Sequence, residues 1–253
     1  MDKPNDDQIS FELVRMDSVS STNEELKMRA INQNASEGLA IASTVQTSGK
    51  GRHGRFWESE AGNMYCSVLF KPDCGLVRAS QLGFLAALAS SQAIASYTGD
   101  VQKLKLKWPN DVLLNNKKVG GILLEANNNK STSVDWVVVG CGVNLKQHPK
   151  QTRFPATSIM KELGIVVEVK EFIDCYLNKL MEWYKTWLSQ GFSPVRLAWL
   201  AMAFNLNKEL LVKFGDQNIV GSFQDLDEDG ALIIKTIDGF SKVNAGEIYF
   251  YDQ

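Results

Sequence analysis

The stretch SGKGRHGRFW, Ser48–Trp57, places four basic side chains among three glycines and ends on an indole. In this segment, the basic loop, glycines at 49, 51 and 54 permit turns that expose consecutive backbone N–H groups to an anion. Lys50, Arg52 and Arg55 add charge, and a guanidinium fork suits phosphate or carboxylate. A mobile, solvated surface loop would have the same composition, so the stretch alone leaves both interpretations open.

The whole chain does not share this positive charge. Its 253 residues carry a formal net charge of −2, which argues against a surface devoted to a polyanion. The four cysteines lack Cys-x-x-Cys spacing, a pattern typical of free thiols in a reducing compartment. The N-terminus has no signal-peptide pattern, and the apolar runs are too short to cross a bilayer. We therefore expect a cytoplasmic protein with no membrane contact.

Runs of apolar and β-branched residues on both sides of the basic loop predict strands. Further along the chain, apolar residues recur at helical spacing. These patterns predict strands at 11–16, 39–45 and 64–70 and helices over 78–97, 171–190 and 194–203.

Capping and turn residues add three local predictions. The first helix opens with capping-box spacing, formed either by Ser21 with Glu24 or by the pair one residue later. A β-hairpin is predicted to turn at Asn115–Asn116. Short strands separated by turns at Gly215–Asp216, Asp229–Gly230 and Asp238–Gly239 predict a small antiparallel barrel near the C-terminus.

Two further stretches carry polar groups at strand ends. The sequence KWPND, Lys107–Asp111, presents a lysine, an asparagine and an aspartate after an apolar strand, although a β-turn would also use them. Lys118 heads a strand in which Gly120 and Gly121 leave room for a ligand against the backbone. A lysine so placed can stabilise charge that develops on a phosphate, whereas the alternative is a solvated hairpin lysine.

These stretches occur in one order along the chain, and together they are more specific than any of them alone. The order is STN (21–23), QTSGKGRHGRFW (46–57), KWPND (107–111), KKVGGILLE (117–125) and GCGVN (140–144). So arranged, the chain resembles the bacterial biotin–protein ligases. The resemblance implies an α+β fold, with a mixed-sheet catalytic domain packed with helices over 1–205 and an SH3-like barrel over 206–253.

The resemblance also implies an activity. Enzymes of this family activate biotin with ATP and Mg²⁺ to biotinyl-5′-AMP, and then transfer biotin to one lysine of a biotin carboxyl carrier protein domain. The acyl-adenylate is open to hydrolysis, so a loop that closes over it is chemically useful. Glycines would let the basic loop move, and Trp57 would anchor it.

Site residues follow from the same resemblance. Lys118, Arg52 and Asp111 are the predicted catalytic residues, with Asp111 receiving or steering the proton of the incoming amine. Biotin is predicted to contact Ser21, Thr22, Asn23, Gln46, Lys50, Gly51, Arg52, Lys118 and Gly121. The nucleotide is predicted to contact Arg52, Arg55, Trp57, Asn110, Lys118 and Asn144, with Trp57 near the adenine. No protein metal site is predicted.

Departures from the family pattern and rival functions complete the expectations. The family's loop reads Gly-Arg-Gly-Arg, whereas this chain has Lys50, which keeps the charge but loses the fork and should retain the adenylate less well. The residues before Ser21 are too few for a helix-turn-helix, so no DNA contact is expected. A homodimer is allowed.

A lipoate or octanoate ligase of the same fold is one rival function. A nucleic-acid-binding module is the other, disfavoured by the single basic patch.

Overall fold

Seven strands form the main sheet of the computed structural model, which describes residues 10–127, 133–152, 154–214, 217–244 and 247–250. Their order across the sheet is β1-β2-β3-β7-β6-β5-β4. The pair β1–β2 is parallel and the other pairs are antiparallel, so the sheet is mixed. The strands are Glu12–Val19 (β1), Leu39–Gln46 (β2), Met64–Phe70 (β3), Leu104–Lys107 (β4), Asp111–Leu114 (β5), Lys117–Asn127 (β6) and Trp136–Val143 (β7).

Helices cover both faces of this sheet. On one face lies the long alanine-rich α3, which is buried along most of its length because it packs between the sheet and α5. On the other face α1 covers a smaller apolar cluster that includes Leu26, Ile41 and Trp136. The helices are Thr22–Asn32 (α1), Leu76–Ser80 (α2), Leu82–Thr98 (α3), Ile159–Leu163 (α4), Val169–Gln190 (α5) and Ser193–Ala201 (α6).

A second sheet of five strands, antiparallel throughout, follows α6. Its order is β11-β10-β9-β8-β12, and it is joined to the first unit by a buried hydrogen bond. The indole Nε1 of Trp108 donates to the carbonyl oxygen of Gly230 at 3.1 Å. The strands are Glu209–Phe214 (β8), Gln217–Leu226 (β9), Leu232–Thr236 (β10), Gly239–Val243 (β11) and Glu247–Phe250 (β12).

Most predicted elements are present, with two corrections. Residues Asn115 and Asn116 turn the predicted hairpin in the left-handed region, with φ of 50° and 60°. The helix predicted over 78–97 is present as α3 and is wrong only at its start, where hydrogen bonds of the i to i+3 type at Gln81 separate α2 from α3. The predicted turn at 215–216 lies outside the described residues.

The predicted capping box at the start of α1 is also wrong. Ser21 is the residue that precedes the helix, but its side chain makes no capping bond. The carboxylate of Glu24 contacts two lysines instead of reaching back to the helix start. Both side chains are therefore turned towards the neighbouring cavity and loop rather than to the local backbone.

Candidate active site

A cavity of about 1100 Å³ opens at the end of the main sheet where β1 and β2 finish. Its walls come from the start of α1, the basic loop, the KWPND segment, the first residues of β6, the end of β7 and residues 149–152 and 154–156. Six lysine and arginine side chains line the cavity, compared with two carboxylates, although the whole chain is slightly acidic. This concentration of cations favours an anionic ligand.

The basic loop forms a small closed hairpin at the cavity. The N–H of Trp57 donates to the carbonyl of Gly49 at 2.9 Å, and the N–H of Gly51 donates to that of Arg55 at 2.7 Å. His53 and Gly54 turn the chain with φ of 55° and 71°, the conformation for which glycine is suited. Of the two interpretations of its composition, the structure favours an ordered loop at a binding cavity.

Trp57 packs against a floor made of glycine backbone. A Cβ at Gly142 would come within 2.8 Å of the indole, and a Cβ at Gly121 within 3.1 Å. These two glycines are direct partners across β6 and β7, so the missing side chains leave a continuous shelf. The Nζ of Lys118 lies 5.4 Å from the centre of the indole ring, within reach of a cation–π contact.

Buried polar side chains at the start of α1 form one hydrogen-bond network. The backbone N–H and the Oγ1 of Thr22 both donate to Oε1 of Gln46, at 2.9 and 3.2 Å. The Nε2 of Gln46 then donates to Ser59 Oγ at 2.9 Å. Ser67 Oγ lies 2.7 Å from Thr22 Oγ1 and 2.6 Å from Asn23 Oδ1. The network fixes a polar recess at the inner end of the cavity.

Asn23 is held from three sides. Its Nδ2 donates to Oε2 of Glu125 at 2.9 Å, and its Oδ1 accepts from Ser67. On the third side lies Gly140, where a Cβ would sit 2.1 Å from Asn23 Oδ1. A glycine is therefore required at 140 as long as Asn23 keeps this position.

The predicted catalytic residues face the same space from the opposite wall. Lys118 Nζ forms an ion pair with the carboxylate of Asp111, and both line the cavity. Arg52 Nη1 donates to Asn110 Oδ1 at 3.4 Å, and Asn110 Nδ2 donates to the carbonyl of Ile122 at 2.8 Å. The fold thus brings the basic loop, KWPND and Lys118 together, as the sequence predicted.

Two predicted ligand residues have other contacts in the structure. Lys50 lines the cavity but directs its Nζ to the carboxylate of Glu24 on α1. Asn144, which is 3 % exposed, donates from Nδ2 to the carbonyl of Thr157 at 3.0 Å and so helps to hold the neighbouring segment. Ser21 and Arg55 also line the cavity.

Sequence reasoning missed the segment 149–156. Its backbone pairs with the start of β6, since the N–H of Lys118 donates to the carbonyl of Pro155 at 2.8 Å. The Phe154 ring lies under Lys107, with Nζ 4.2 Å from its centre. Its apolar residues have no periodic spacing from which a helix or strand could have been predicted. Ser59, Ser67 and Glu125 were also missed; a serine inside the apolar run MYCSVLF was the only signal.

Glu162 of α4 braces this side of the cavity. Its carboxylate accepts from Asn115 Nδ2 at 2.7 Å, Thr157 Oγ1 at 2.6 Å and Lys117 Nζ at 3.0 Å. Burial on its own would raise the pKa of Glu162, but these hydrogen bonds outweigh it and lower the pKa to about 2. The charged form therefore ties the β5–β6 hairpin to Thr157, the residue that follows the 149–156 segment.

Among the described residues, no group of three or more His, Cys, Asp and Glu side chains is arranged to hold a metal ion. The cavity wall carries only two carboxylates, those of Glu58 and Asp111, which suits a magnesium ion that would arrive with phosphates better than a protein cage. No described helix has both the length and the apolar composition needed to cross a bilayer.

Comparison with known proteins identifies the family. Residues 16–144 match the model of the biotin/lipoate A/B protein ligase family. The chain belongs to this family. Residues 206–251 match the biotin protein ligase C-terminal domain. The family resemblance and its ligase class are thereby confirmed.

Individual relatives agree with this assignment. A biotin–[acetyl-CoA-carboxylase] ligase from Paracoccus denitrificans is 37 % identical over 215 residues, which cover 83 % of this chain and 89 % of the relative. A bifunctional ligase/repressor from Bacillus subtilis is 32 % identical, covering 93 % and 73 %. The biotin protein ligase from Aquifex aeolicus, solved in complex with biotin and ATP, superposes with a TM-score of 0.80 at 30 % identity, covering 94 % and 97 %. The α+β fold class with its small C-terminal sheet is also confirmed. The boundary at 205/206 and the role of each site residue stay predictions.

Proposed function

We propose that this enzyme activates biotin with ATP to biotinyl-5′-AMP and transfers biotin to a lysine of a biotin carboxyl carrier protein domain. The observation that carries the proposal is the pairing, in one cavity, of a buried polar recess with a cluster of cations. The ureido head group of biotin has donors and an acceptor that can form hydrogen bonds in the recess. The carboxylate of biotin and the α-phosphate of ATP would then meet at the cations.

The recess suits a small polar ring. Thr22, Asn23 and Gln46 are each less than a tenth exposed and are held by Ser59, Ser67 and Glu125. Groups locked in this way keep their direction when a ligand arrives, which lowers the entropic cost of binding. Trp57, which packs directly on Gly121 and Gly142, supplies an apolar wall for an acyl chain between the recess and the cations.

Adenylate formation requires two anions to approach. The biotin carboxylate attacks the α-phosphorus, a bond forms between its oxygen and that phosphorus, and pyrophosphate leaves with the electron pair. Lys118 and Arg52 lie where the charge of the attacking and transferring groups would collect, so they lower the repulsion and stabilise the transition state. Mg²⁺ belongs to this proposal as the partner of the ATP phosphates, whose charge it neutralises.

Transfer to the carrier requires a neutral amine. Asp111 borders the cavity beside Lys118, and its carboxylate is positioned to accept or steer the proton that the incoming lysine loses as it attacks the acyl carbon. AMP then leaves with the electron pair of the broken C–O bond. The closed basic loop limits access of water to the mixed anhydride until the amine arrives.

The cellular setting is part of the same proposal. All four cysteines are free thiols, three of them buried, which supports a reducing compartment such as the cytoplasm. Association into a homodimer stays a prediction, which sedimentation at several protein concentrations would test.

The deciding experiment offers the enzyme ATP, Mg²⁺ and either biotin or lipoate, with a carrier domain added in a second step. We expect pyrophosphate release and an adenylate mass with biotin, and then a mass gain on the carrier. Arg52→Ala and Lys118→Ala should each lower adenylate formation by at least about 100-fold. Lys105→Ala, on β4 and outside the cavity lining, is the matched control. Release with lipoate alone would refute the biotin assignment.

A further inference from the structure

The basic loop is tied to the rest of the protein at two different walls. On one side Arg52 contacts Asn110 of the KWPND segment at 3.4 Å. On the other side Lys50 pairs with Glu24, which lies in the first turn of α1. The family's usual arginine at position 50 is replaced here by a lysine whose charge is directed to a helix carboxylate.

The Lys50–Glu24 pair continues into a chain of alternating charges. The same oxygen of Glu24 lies 2.6 Å from Lys27 Nζ, which in turn lies 2.6 Å from Glu125 Oε1. The other oxygen of Glu125 accepts from Asn23 in the polar recess. Loop and recess are therefore joined by one continuous network, and removal of any link changes the partners of the next.

The charge state of the network supports this connection. Burial would raise the pKa of Glu24, but hydrogen bonds from Lys27 and Lys50 outweigh it and lower the pKa. Burial would lower the pKa of Lys27, and its bonds to Glu125 and Glu24 raise it instead. Both side chains are thus held in their charged forms.

We propose that Glu24 is a positioning residue that holds the basic loop closed through Lys50. In this arrangement Lys50 slows the escape of the acyl-adenylate by its ion pair with Glu24 rather than by touching the ligand. The inference rests on the proposed function and adds to it a residue that sets how long the intermediate is retained. Because the side chains of Lys50 and Glu24 are 47 % and 34 % exposed, their ion pair is weak, and the loop can open for each turnover.

The first test needs no substrate. Glu24→Gln keeps all the basic residues of the loop, so initial tryptic cleavage after Lys50, Arg52 and Arg55, followed by mass spectrometry, reports how often the loop opens. We expect cleavage about twofold to fivefold faster than in the wild type, with the difference shrinking in 1 M salt. Glu25→Gln is the matched control, because Glu25 pairs with Arg29 on the same helix and not with the loop. Equal cleavage of the two variants would overturn the proposal.

The second test separates action through Glu24 from direct contact with the ligand. A guanidinium at position 50 can make two hydrogen bonds to the Glu24 carboxylate, so Lys50→Arg should slow release of biotinyl-AMP about twofold to fivefold. In the Glu24→Gln background the same substitution should change the release rate little. Equal slowing in both backgrounds would mean that residue 50 acts on the adenylate itself, which also overturns the proposal. A wild type that forms no adenylate would contradict the proposed function, and the tryptic comparison would still decide the role of Glu24.

Discussion

Gly140→Ala tests the packing of the polar recess most directly. The added Cβ would lie 2.1 Å from Oδ1 and 2.9 Å from Cγ of Asn23, and Asn23 is only 3 % exposed. The amide must therefore shift away from Ser67 and Glu125, to which it is bonded at 2.6 and 2.9 Å. Overpacking costs about 1–3 kcal/mol, and each buried partner left unpaired costs about 1–3 kcal/mol more.

With one of the two partners left unpaired, we therefore expect Gly140→Ala to lower the free energy of unfolding by about 2–6 kcal/mol, which is a fall in Tm of roughly 4–24 °C. Biotin affinity, measured by titration calorimetry, should fall at least about tenfold because the recess loses its shape.

The control is the same substitution in an Asn23→Ala background. There all three atoms that the new Cβ would meet are gone, so Gly140→Ala should cost less than about 1 kcal/mol. Urea unfolding of the four proteins measures the coupling. A wild-type-like Gly140→Ala, or an equal cost in both backgrounds, would show that Asn23 does not occupy this position.

Three further substitutions or reactions probe other parts of the molecule. Glu162→Gln should lower the free energy of unfolding by about 1 kcal/mol at pH 7. Because the pKa of about 2 in the folded protein lies below the ordinary 4.5, this stabilisation is present above pH 4.5 and is lost towards pH 2. Urea unfolding curves of the wild type and the variant should therefore converge near pH 2. Trp108→Phe removes the donor to Gly230 and should lower Tm by an amount equivalent to about 1–3 kcal/mol, whereas an unchanged calorimetric scan would show that this bond does not join the two units. Burial raises the pKa of the Cys141 thiol to about 11 and raises that of Cys66 as well, so both should react with a thiol reagent only after unfolding. Peptide mass mapping distinguishes them from the less buried Cys175, and fast labelling of Cys66 or Cys141 in the native protein would contradict their burial.

Local chemistry explains why much of the fold could be predicted. Gly54 of the basic loop and Asn115 and Asn116 of the β5–β6 hairpin have left-handed backbone, and such positions can be read from residue type. The apolar period of α5 likewise marks its buried face. The order of the motifs then identified which of these elements meet at the cavity.

The parts that escaped prediction depend on partners distant in sequence. Lys50 was expected at the ligand, but its contact is a carboxylate 26 residues earlier in the chain. Ser67 and Glu125 look unremarkable on their own strands, and only the approach of α1 gives them Asn23 as a partner. Such pairings are decided by how the helix packs on the sheet, and no local pattern encodes them.

The paired glycines at 121 and 142 set a limit on redesign. Trp57 packs directly on them, so any atom added at either glycine displaces the indole, and neither position has a side chain left to shorten. Bulkier analogues of the acyl substrate would have to gain their room from the opposite, loop-borne wall. Attempts to broaden the substrate range should therefore begin with residues of that wall and leave the strands unchanged.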